Sequence, residues 1–264
     1  MPELAEVAFY CSQWRPGFNR TIRSVKLNDK VRCFRDVSTR QLSLKLKGNR
    51  LTGSRTHGKR MLFQLRNSTW LGVHLGMTGS LAFRKEEGAI ETHDHLVLGV
   101  ENGWLVFNDP RQFGKVELYV SKGLPEFWEN LPREMESAPF DFGYFESILH
   151  RRGRSPLKSL LLDQSLFPGV GNWMADEVLW RARVRPNRSA RSLERSELKA
   201  LFRSLKFVCR GAMKYIATDF SDPPKSWLFT HRWKPGGRCP KTGVELERTQ
   251  IGGRTTCWSA EWQK

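Results

Sequence analysis

The sequence lacks paired cysteines, long apolar runs and a balance of acidic against basic residues. Its five cysteines are odd in number, widely spaced and without a Cys-x-x-Cys pair: Cys11, Cys33, Cys209, Cys239 and Cys257. Such a set disfavours a disulfide framework and a four-cysteine zinc site. No apolar run approaches the roughly 18 residues that span a bilayer, and the N-terminus lacks the basic and then apolar layout of a signal peptide. We therefore expect an intracellular protein without a membrane segment, in a bacterial cytoplasm or nucleoid or in a eukaryotic nucleus.

The shortage of acidic residues is uneven along the chain. The 264 residues carry 44 Lys and Arg against 27 Asp and Glu, a formal net charge of +17. Residues 1–150 contribute +4 of this charge and residues 151–264 contribute +13. So lopsided a distribution predicts a polyanionic partner, most simply nucleic acid. The alternative is a basic surface that serves solubility.

The apolar pattern changes once along the chain, from strand-like to helical. Apolar residues recur at helical spacing over 3–14, and Pro16 and Gly17 end that helix. From about 21 to 120, short apolar runs alternate with turn residues, as in a β-sandwich or barrel. After a connector with three prolines, helices are predicted at about 144–151, 156–163, 172–182 and 192–216. The whole predicts an α+β protein with a β domain (1–125), a helical domain (126–226) and a β-hairpin appendage (227–264).

Pro2 is a candidate nucleophile. Removal of Met1 would leave a secondary amine that titrates at about 7.7–8.0, well below the roughly 10.4 of a lysine. Attack on a sugar C1′ atom would give an iminium ion that has no N–H to lose and acts as an electron sink for elimination. Glu3 could protonate the sugar ring oxygen or shuttle protons. Proline and acidic residues at a helix start are also ordinary capping chemistry, and that alternative stays open.

A tight glycine turn opens the helix predicted at 172–182. Gly169, Val170 and Gly171 precede Asn172, so backbone N–H groups and the Asn172 amide could bind a phosphate at the helix N-terminus. Four arginines follow and favour contact with a DNA backbone: Arg181, Arg183, Arg185 and Arg188. Glycines at such a corner are also common in purely structural turns.

Three segments, in this order, resemble the formamidopyrimidine-DNA glycosylase and endonuclease VIII family: Met-Pro-Glu-Leu at 1–4, Leu-Leu-Leu-Asp-Gln at 160–164, and Gly-Val-Gly-Asn-Trp-Met-Ala-Asp-Glu at 169–177. The resemblance covers essentially the whole chain. It implies an N-terminal β-sandwich with a leading helix, a helix–two-turn–helix element and a hairpin finger. It also implies a bifunctional DNA glycosylase and abasic-site lyase of base excision repair, which needs no cofactor and ends in β,δ-elimination.

The resemblance assigns roles to particular residues. Pro2 is implied as the Schiff-base nucleophile and Glu3 as its acid–base partner, with Glu6 a further acidic residue beside the damaged base. The DNA-binding residues implied or expected alongside them are Lys59, Lys158, Asn172 and Arg254. The expected partner is duplex DNA that contains oxidised bases or abasic sites, bound by a monomer.

Two further segments are similar to the family's loops that fill the space left by a flipped base. Met77 and Phe113 suit an apolar wedge, and Arg111 suits hydrogen bonding to an orphaned cytosine. Such insertion recovers part of the stacking free energy that base extrusion loses. Without the resemblance, these residues would be interpreted as hairpin turns with a buried Met and Phe.

The C-terminal segment departs from the family pattern. Relatives with a zinc finger carry two Cys-x-x-Cys pairs, whereas only Cys239 matches here; Thr242, Ser259 and Trp262 stand at the other ligand positions. One soft ligand cannot hold tetrahedral zinc, so no metal is expected. The segment resembles the zincless-finger branch, in which Arg254 would still bind phosphate. The short segment 218–230 further implies weak action on 8-oxoguanine compared with hydantoins, formamidopyrimidines or oxidised pyrimidines.

Two other functions compete with this interpretation. One is a non-catalytic, structure-specific DNA-binding protein on the same fold. The other is a module for single strands or RNA, which is disfavoured because the aromatic residues do not alternate with the basic runs along the sequence.

Overall fold

The computed structural model describes residues 1–85 and 91–264, which form two units. One unit comprises Met1–Pro2 and Glu6–Leu131, and the other comprises Glu3–Ala5 and Pro132–Lys264. The division falls at Leu131 instead of the predicted 125. The C-terminal hairpin belongs to the helical unit, so it is not a separate third body.

The first unit is built on two antiparallel four-stranded sheets. One sheet has the order β1-β6-β7-β5, with β1 Ser24–Leu27, β5 Ser80–Arg84, β6 Asp94–Val100 and β7 Gly103–Asn108. The other has the order β2-β3-β4-β8, with β2 Leu51–His57, β3 Arg60–Leu65, β4 Thr69–His74 and β8 Lys115–Val120. Three helices accompany them: α1 Leu4–Ser12, α2 Thr39–Leu46 and α3 Glu126–Glu129. The predicted β-sandwich and leading helix are confirmed.

Aromatic side chains fill the core of the first unit. Trp14 is fully buried, its ring centroid lies 4.8 Å from that of Phe63, and its indole Nε1 donates to the Val106 main-chain oxygen at 3.2 Å. Burial of one large apolar side chain stabilises a fold by about 1.5–3 kcal/mol. This core holds the strand ends from which the loops discussed below emerge.

Helix α2 lies within the region where the sequence predicted only strands. The Ser38 hydroxyl accepts from the Gln41 N–H at 3.4 Å and caps the helix start, and Leu42 and Leu46 are fully buried one turn apart. The helix is short, and its remaining side chains are polar apart from the exposed Leu44. With so few apolar positions, the helical spacing of α2 could not be distinguished from the strand patterns on either side of it.

The second unit is helical and ends in a hairpin. Its helices are α4 Phe142–Arg151, α5 Leu157–Leu162, α6 Asn172–Ala182 and α7 Arg195–Asp219; β9 Glu247–Ile251 and β10 Arg254–Trp258 pair antiparallel. The predicted bounds of α6 are confirmed. Gly252 and Gly253 have φ of +59° and +71° and form the hairpin turn directly before Arg254. Among the described residues, no helix is both long and apolar enough to cross a membrane.

Candidate catalytic and nucleic-acid-binding site

Glu3 is anchored to the start of α6. One carboxylate oxygen, Oε2, accepts from the N–H groups of Gly171 at 2.9 Å and Met174 at 3.2 Å, and Oε1 accepts from that of Trp173 at 3.0 Å. The side chain is buried, with the residue 2% exposed. A Cβ atom at Gly171 would lie 2.2 Å from Glu3 Cδ, so the position has room only for glycine. All three of these groups are hydrogen-bond donors, which match the acceptor oxygens of a carboxylate.

This anchoring corrects the predicted phosphate site at the same turn. The N–H groups of Gly171, Trp173 and Met174 are taken by Glu3 and are not available to an external anion. The sequence could not indicate this, because Glu3 and Gly171 are 168 residues apart along the chain. The helix N-terminus therefore binds a carboxylate of the chain itself.

Pro2 directly precedes the anchored Glu3 and is half-buried. The next residue, Leu4, donates its N–H to the Gly169 oxygen at 3.0 Å, so the peptide after Pro2 is held by side-chain and main-chain bonds. Met1 is 45% exposed, which leaves it accessible for removal. Once Met1 is removed, the Pro2 nitrogen becomes an amine on a fixed segment.

Asn172 and the Arg254 strand are brought together within the second unit. Asn172 Nδ2 donates to the main-chain oxygen of Thr255 at 2.9 Å, and Thr255 follows Arg254 on β10. Asn172 Oδ1 is buried and has no hydrogen-bond partner among the described residues. Arg254 is exposed beside the hairpin turn. The two residues predicted to bind phosphate thus lie on adjoining elements.

Lys59 lies in the turn between β2 and β3 and is 8% exposed. The preceding Gly58 has a φ of +56°, which sets the tight turn. Burial, together with the charges of Arg60 and Lys59, lowers the pKa of His74 to about 4. Arg60, the residue after Lys59, pairs with His74 at the end of β4, so Lys59 is close to that strand end.

Glu6 is half-buried on α1, four residues before Tyr10. Burial and then the charge of Glu6 raise the pKa of Tyr10. The position of Glu6 beside the damaged base stays a prediction.

The three predicted void-filling residues occupy two loops of the first unit. Arg111 is exposed, and its guanidinium carbon lies 4.8 Å from the ring centroid of Phe113. Phe113 is 43% exposed, so it is not the buried turn residue of the alternative interpretation. Met77 is half-buried. A partly exposed phenylalanine under a guanidinium is suited to stack against bases.

Comparisons with known proteins agree with this arrangement. The model of the formamidopyrimidine-DNA glycosylase N-terminal domain matches residues 1–116, and that of the H2TH domain of the same glycosylase matches residues 131–222. The chain belongs to the formamidopyrimidine-DNA glycosylase family. The protein of that name from Syntrophomonas wolfei is 32% identical over 100% of both chains, and that from Thermus thermophilus is 34% identical over 97% of this chain and 96% of its own. The structure is also similar to that of wild-type Lactococcus lactis Fpg (MutM) in complex with DNA containing N7-benzyl-Fapy-dG, with a TM-score of 0.87, 27% identity and 100% coverage of both chains.

Lys158 does not lie where this family member was expected to bind DNA. Its side chain has no exposed surface, and Nζ donates to Asp176 Oδ1 at 2.5 Å and to the Asn172 oxygen at 2.7 Å. Asp176 Oδ2 also accepts from Arg232 Nη2 at 2.6 Å and from the Cys257 N–H at 3.0 Å. Lys158 on α5 is therefore bonded to α6 within the core of the second unit, and Asp176 extends this link to Cys257 on β10. Asp176 was missed, although it lies one turn after Asn172 on α6.

The arginines predicted beside the turn are also engaged within the glycosylase fold. Arg181 pairs with Glu177 at 2.8 Å, Arg183 stacks on Trp262 at 3.8 Å, and Arg188 pairs with Glu197 at 2.6 Å. Arg185 donates from Nε to a main-chain oxygen at 3.2 Å. Arg183 and Arg185 are exposed nonetheless. The predicted contact of these four arginines with a DNA backbone stays a prediction.

The finger of this family member is packed around tryptophan. Trp180 Nε1 donates to Cys239 Sγ at 3.4 Å, and Trp262 Nε1 donates to the Trp180 oxygen at 3.1 Å. Ser259 Oγ accepts from the Trp262 N–H at 3.3 Å. Leu228, Leu246 and Cys257 complete the apolar cluster. Over residues 1–85 and 91–264, no three His, Cys, Asp or Glu side chains gather around one point; the absence of a metal stays a prediction.

Proposed function

We propose that this chain is a DNA glycosylase and abasic-site lyase of base excision repair that acts on duplex DNA through the amine of Pro2. The observation that carries the proposal is the fixation of Glu3 by three backbone N–H groups at the start of α6. A buried, anchored carboxylate directly after Pro2 supports the assignment of Glu3 as the acid–base partner of that amine. The relatives' name and the lesion-containing DNA bound by the Lactococcus lactis protein support the same substrate class.

The chemistry proceeds through a covalent intermediate. The Pro2 nitrogen bonds to C1′ of the damaged nucleotide and gives up its proton, while the bond from C1′ to the base breaks and the base leaves with that electron pair and takes up a proton. The sugar ring opens as O4′ takes a proton, which leaves an iminium ion between Pro2 and C1′. Loss of a proton from C2′ then expels the 3′-phosphate, and a second elimination expels the 5′-phosphate. Glu3 accepts and returns protons in these steps.

Phosphate contacts hold the duplex. Asn172 and Arg254 supply them from adjoining elements of the second unit, and Lys59 supplies one from the first. Met77, Arg111 and Phe113 fill the space vacated by the flipped nucleotide. Neutralisation of each phosphate would make affinity fall by roughly 0.9 log units per log unit of salt.

A short connection after α7 supports the proposed lesion preference. Phe220 ends that helix with a φ of +64°, and only residues 221–227 separate it from the next helical turn at Leu228–His231. A segment of this length leaves little chain to cover a flipped purine. Hydantoins, formamidopyrimidines and oxidised pyrimidines are therefore preferred over 8-oxoguanine.

Borohydride trapping tests the proposal. The protein is reacted with duplexes that contain an abasic site, 8-oxoguanine, a hydantoin or an oxidised pyrimidine. The control is a variant with extra residues before Pro2, whose nitrogen is then an amide. The proposal expects adducts from the processed protein only, with duplex affinity retained by the control. Tight duplex binding without an adduct at the abasic site would instead establish the non-catalytic DNA-binding function.

A further inference from the structure

The two void-filling loops of the first unit meet at one buried carboxylate. We call residues 75–79 the Met77 loop and residues 109–114 the Arg111 loop. Asp109, at the start of the Arg111 loop, is 0% exposed. Its Oδ1 accepts from the Thr78 hydroxyl of the Met77 loop at 2.9 Å, and its Oδ2 accepts from the Gly114 N–H at the far end of its own loop at 2.6 Å.

The position of Asp109 is itself fixed by the neighbouring strand. Its N–H donates to the His93 oxygen at 3.0 Å, and its own main-chain oxygen accepts from His95 Nε2 at 2.9 Å. The Cys33 thiol lies 3.7 Å from Oδ2. A carboxylate held through its backbone can impose its geometry on the two loops that contact its side chain.

The loops also touch through their backbones. Gly76 has a φ of +61°, and a Cβ atom there would lie 2.4 Å from the Phe113 carbonyl carbon and 2.5 Å from the Gly114 nitrogen. The Gly79 N–H donates to the Leu75 oxygen at 2.9 Å and closes the Met77 loop. Neither loop can shift far without displacing the other.

We propose that Asp109 is a positioning residue that holds the Met77 and Arg111 loops in one arrangement, so that Met77, Arg111 and Phe113 enter the duplex as a single preformed wedge. The inference rests on the proposed function, since it assigns the wedge to base extrusion. The loops of a preformed wedge are already ordered before DNA binds. None of the free energy of their contacts with DNA is therefore offset by the entropy cost of ordering them. The effect should therefore be largest where a stacked base must be extruded and small where the base is already missing.

Substitutions at Thr78 and Asp109 separate the hydrogen bonds from the fold. Thr78→Val removes one donor and keeps the shape of the side chain, whereas Thr78→Ser keeps the hydroxyl. In Asp109→Asn, the side-chain oxygen can still accept from the Gly114 N–H. The side-chain amide can donate to the Thr78 hydroxyl, which then acts as an acceptor instead of a donor. Asp109→Ala loses both bonds. Thr52→Val is the matched control, because the Thr52 hydroxyl donates to the Gln64 oxygen at 3.3 Å outside both loops.

Single-turnover excision of a lesion base is compared with cleavage of a preformed abasic site in the same duplex. We expect Thr78→Val to slow excision by about tenfold, the factor that one partly buried hydrogen bond can supply, and Asp109→Ala to slow it further. Thr78→Ser and Asp109→Asn should recover most of the rate. Abasic-site cleavage should stay within about twofold in all of them. Equal losses in both reactions, or unchanged excision in Thr78→Val, would overturn the proposal.

Hydrogen–deuterium exchange provides a readout that does not depend on activity. The hydrogen-bonded amides of the two loops should exchange slowly in the wild-type protein and together become faster in Thr78→Val, but not in Thr52→Val. These are the amides of Gly76, Gly79, Gln112 and Gly114. If the wild-type protein cleaves neither substrate, the proposed function fails while this exchange measurement still decides whether Asp109 holds the loops. Unchanged exchange of both loops in Thr78→Val and Asp109→Ala would refute the holding role.

Discussion

The side-chain amide of Asn172 donates to the main-chain oxygen of Thr255, the residue after Arg254, at 2.9 Å. One predicted phosphate-binding residue therefore holds the strand that carries another. Their contributions to DNA affinity should not be independent, because removal of the first also releases the second.

The double variant Asn172→Ala with Arg254→Ala is expected to lose less affinity than the sum of the two single losses. Arg254→Ala should lower the slope of log affinity against log salt by about 0.9, the contribution of one phosphate. Titration of a labelled duplex at several salt concentrations measures the DNA affinity of the wild-type protein, the two single variants and the double variant. Arg203→Ala, an exposed change on α7, is the control. Strict additivity would show that the hairpin does not depend on Asn172.

Gly171→Ala should disable the nucleophile without removing it. A Cβ atom there collides with the Glu3 carboxylate, so the side chain has to leave at least part of its N–H cradle. We expect Schiff-base trapping to fall at least tenfold and the free energy of unfolding to drop by about 1–3 kcal/mol. Gly123→Ala is the matched control, because no described atom lies within 4 Å of the point that its Cβ would occupy. Normal trapping by Gly171→Ala would show that the anchoring is dispensable.

Lys158→Met should lower the free energy of unfolding and leave the slope of log DNA affinity against log salt unchanged. The substitution leaves the buried Asp176 carboxylate with one cationic partner fewer, a change that typically costs about 3–5 kcal/mol. Urea denaturation measures the loss, and Lys199→Met on the exposed face of α7 provides the comparison. A slope that falls by about one unit in a folded Lys158→Met protein would restore the original prediction of a phosphate contact.

Acid should loosen the Met77 loop through His74. Its Nδ1 accepts from the Gly76 N–H at 3.0 Å, which requires the neutral ring, and burial with the charges of Arg60 and Lys59 lowers the pKa to about 4. Because this value lies below the ordinary 6.5, the neutral ring stabilises the folded state above pH 6.5, and the contribution is lost as the pH falls towards 4. The loss amounts to roughly 3 kcal/mol.

His74→Asn supplies an acceptor oxygen that does not titrate. The wild-type free energy of unfolding should therefore decline more steeply between pH 6.5 and pH 4 than that of His74→Asn, while the two curves run parallel above pH 7. Chemical denaturation across this range makes the comparison. Parallel curves throughout would show that His74 does not titrate as described.

Sequence patterns predicted much of the fold where a helix, strand or turn is determined by residues that are close together in the chain. The turn 169–171 and the apolar period behind it placed α6 correctly, and the alternating apolar runs between about 21 and 120 predicted the two-sheet domain. Lys158 was misjudged because the sequence gives a charge but not the direction in which the side chain points. Its partner Asp176 lies on another helix, 18 residues further along the chain. Asp109 was missed for the same reason, since its partner Thr78 lies on a different hairpin.

The bond between Glu3 and Gly171 spans 168 residues of chain. During synthesis, the N-terminus emerges long before the helix that anchors it, because chains grow at about 5–20 residues per second. Until then the segment is unanchored, so processing enzymes can reach Met1 before the nucleophile is fixed. A truncated product that stops before α6 would contain Glu3 without the backbone N–H groups that anchor it.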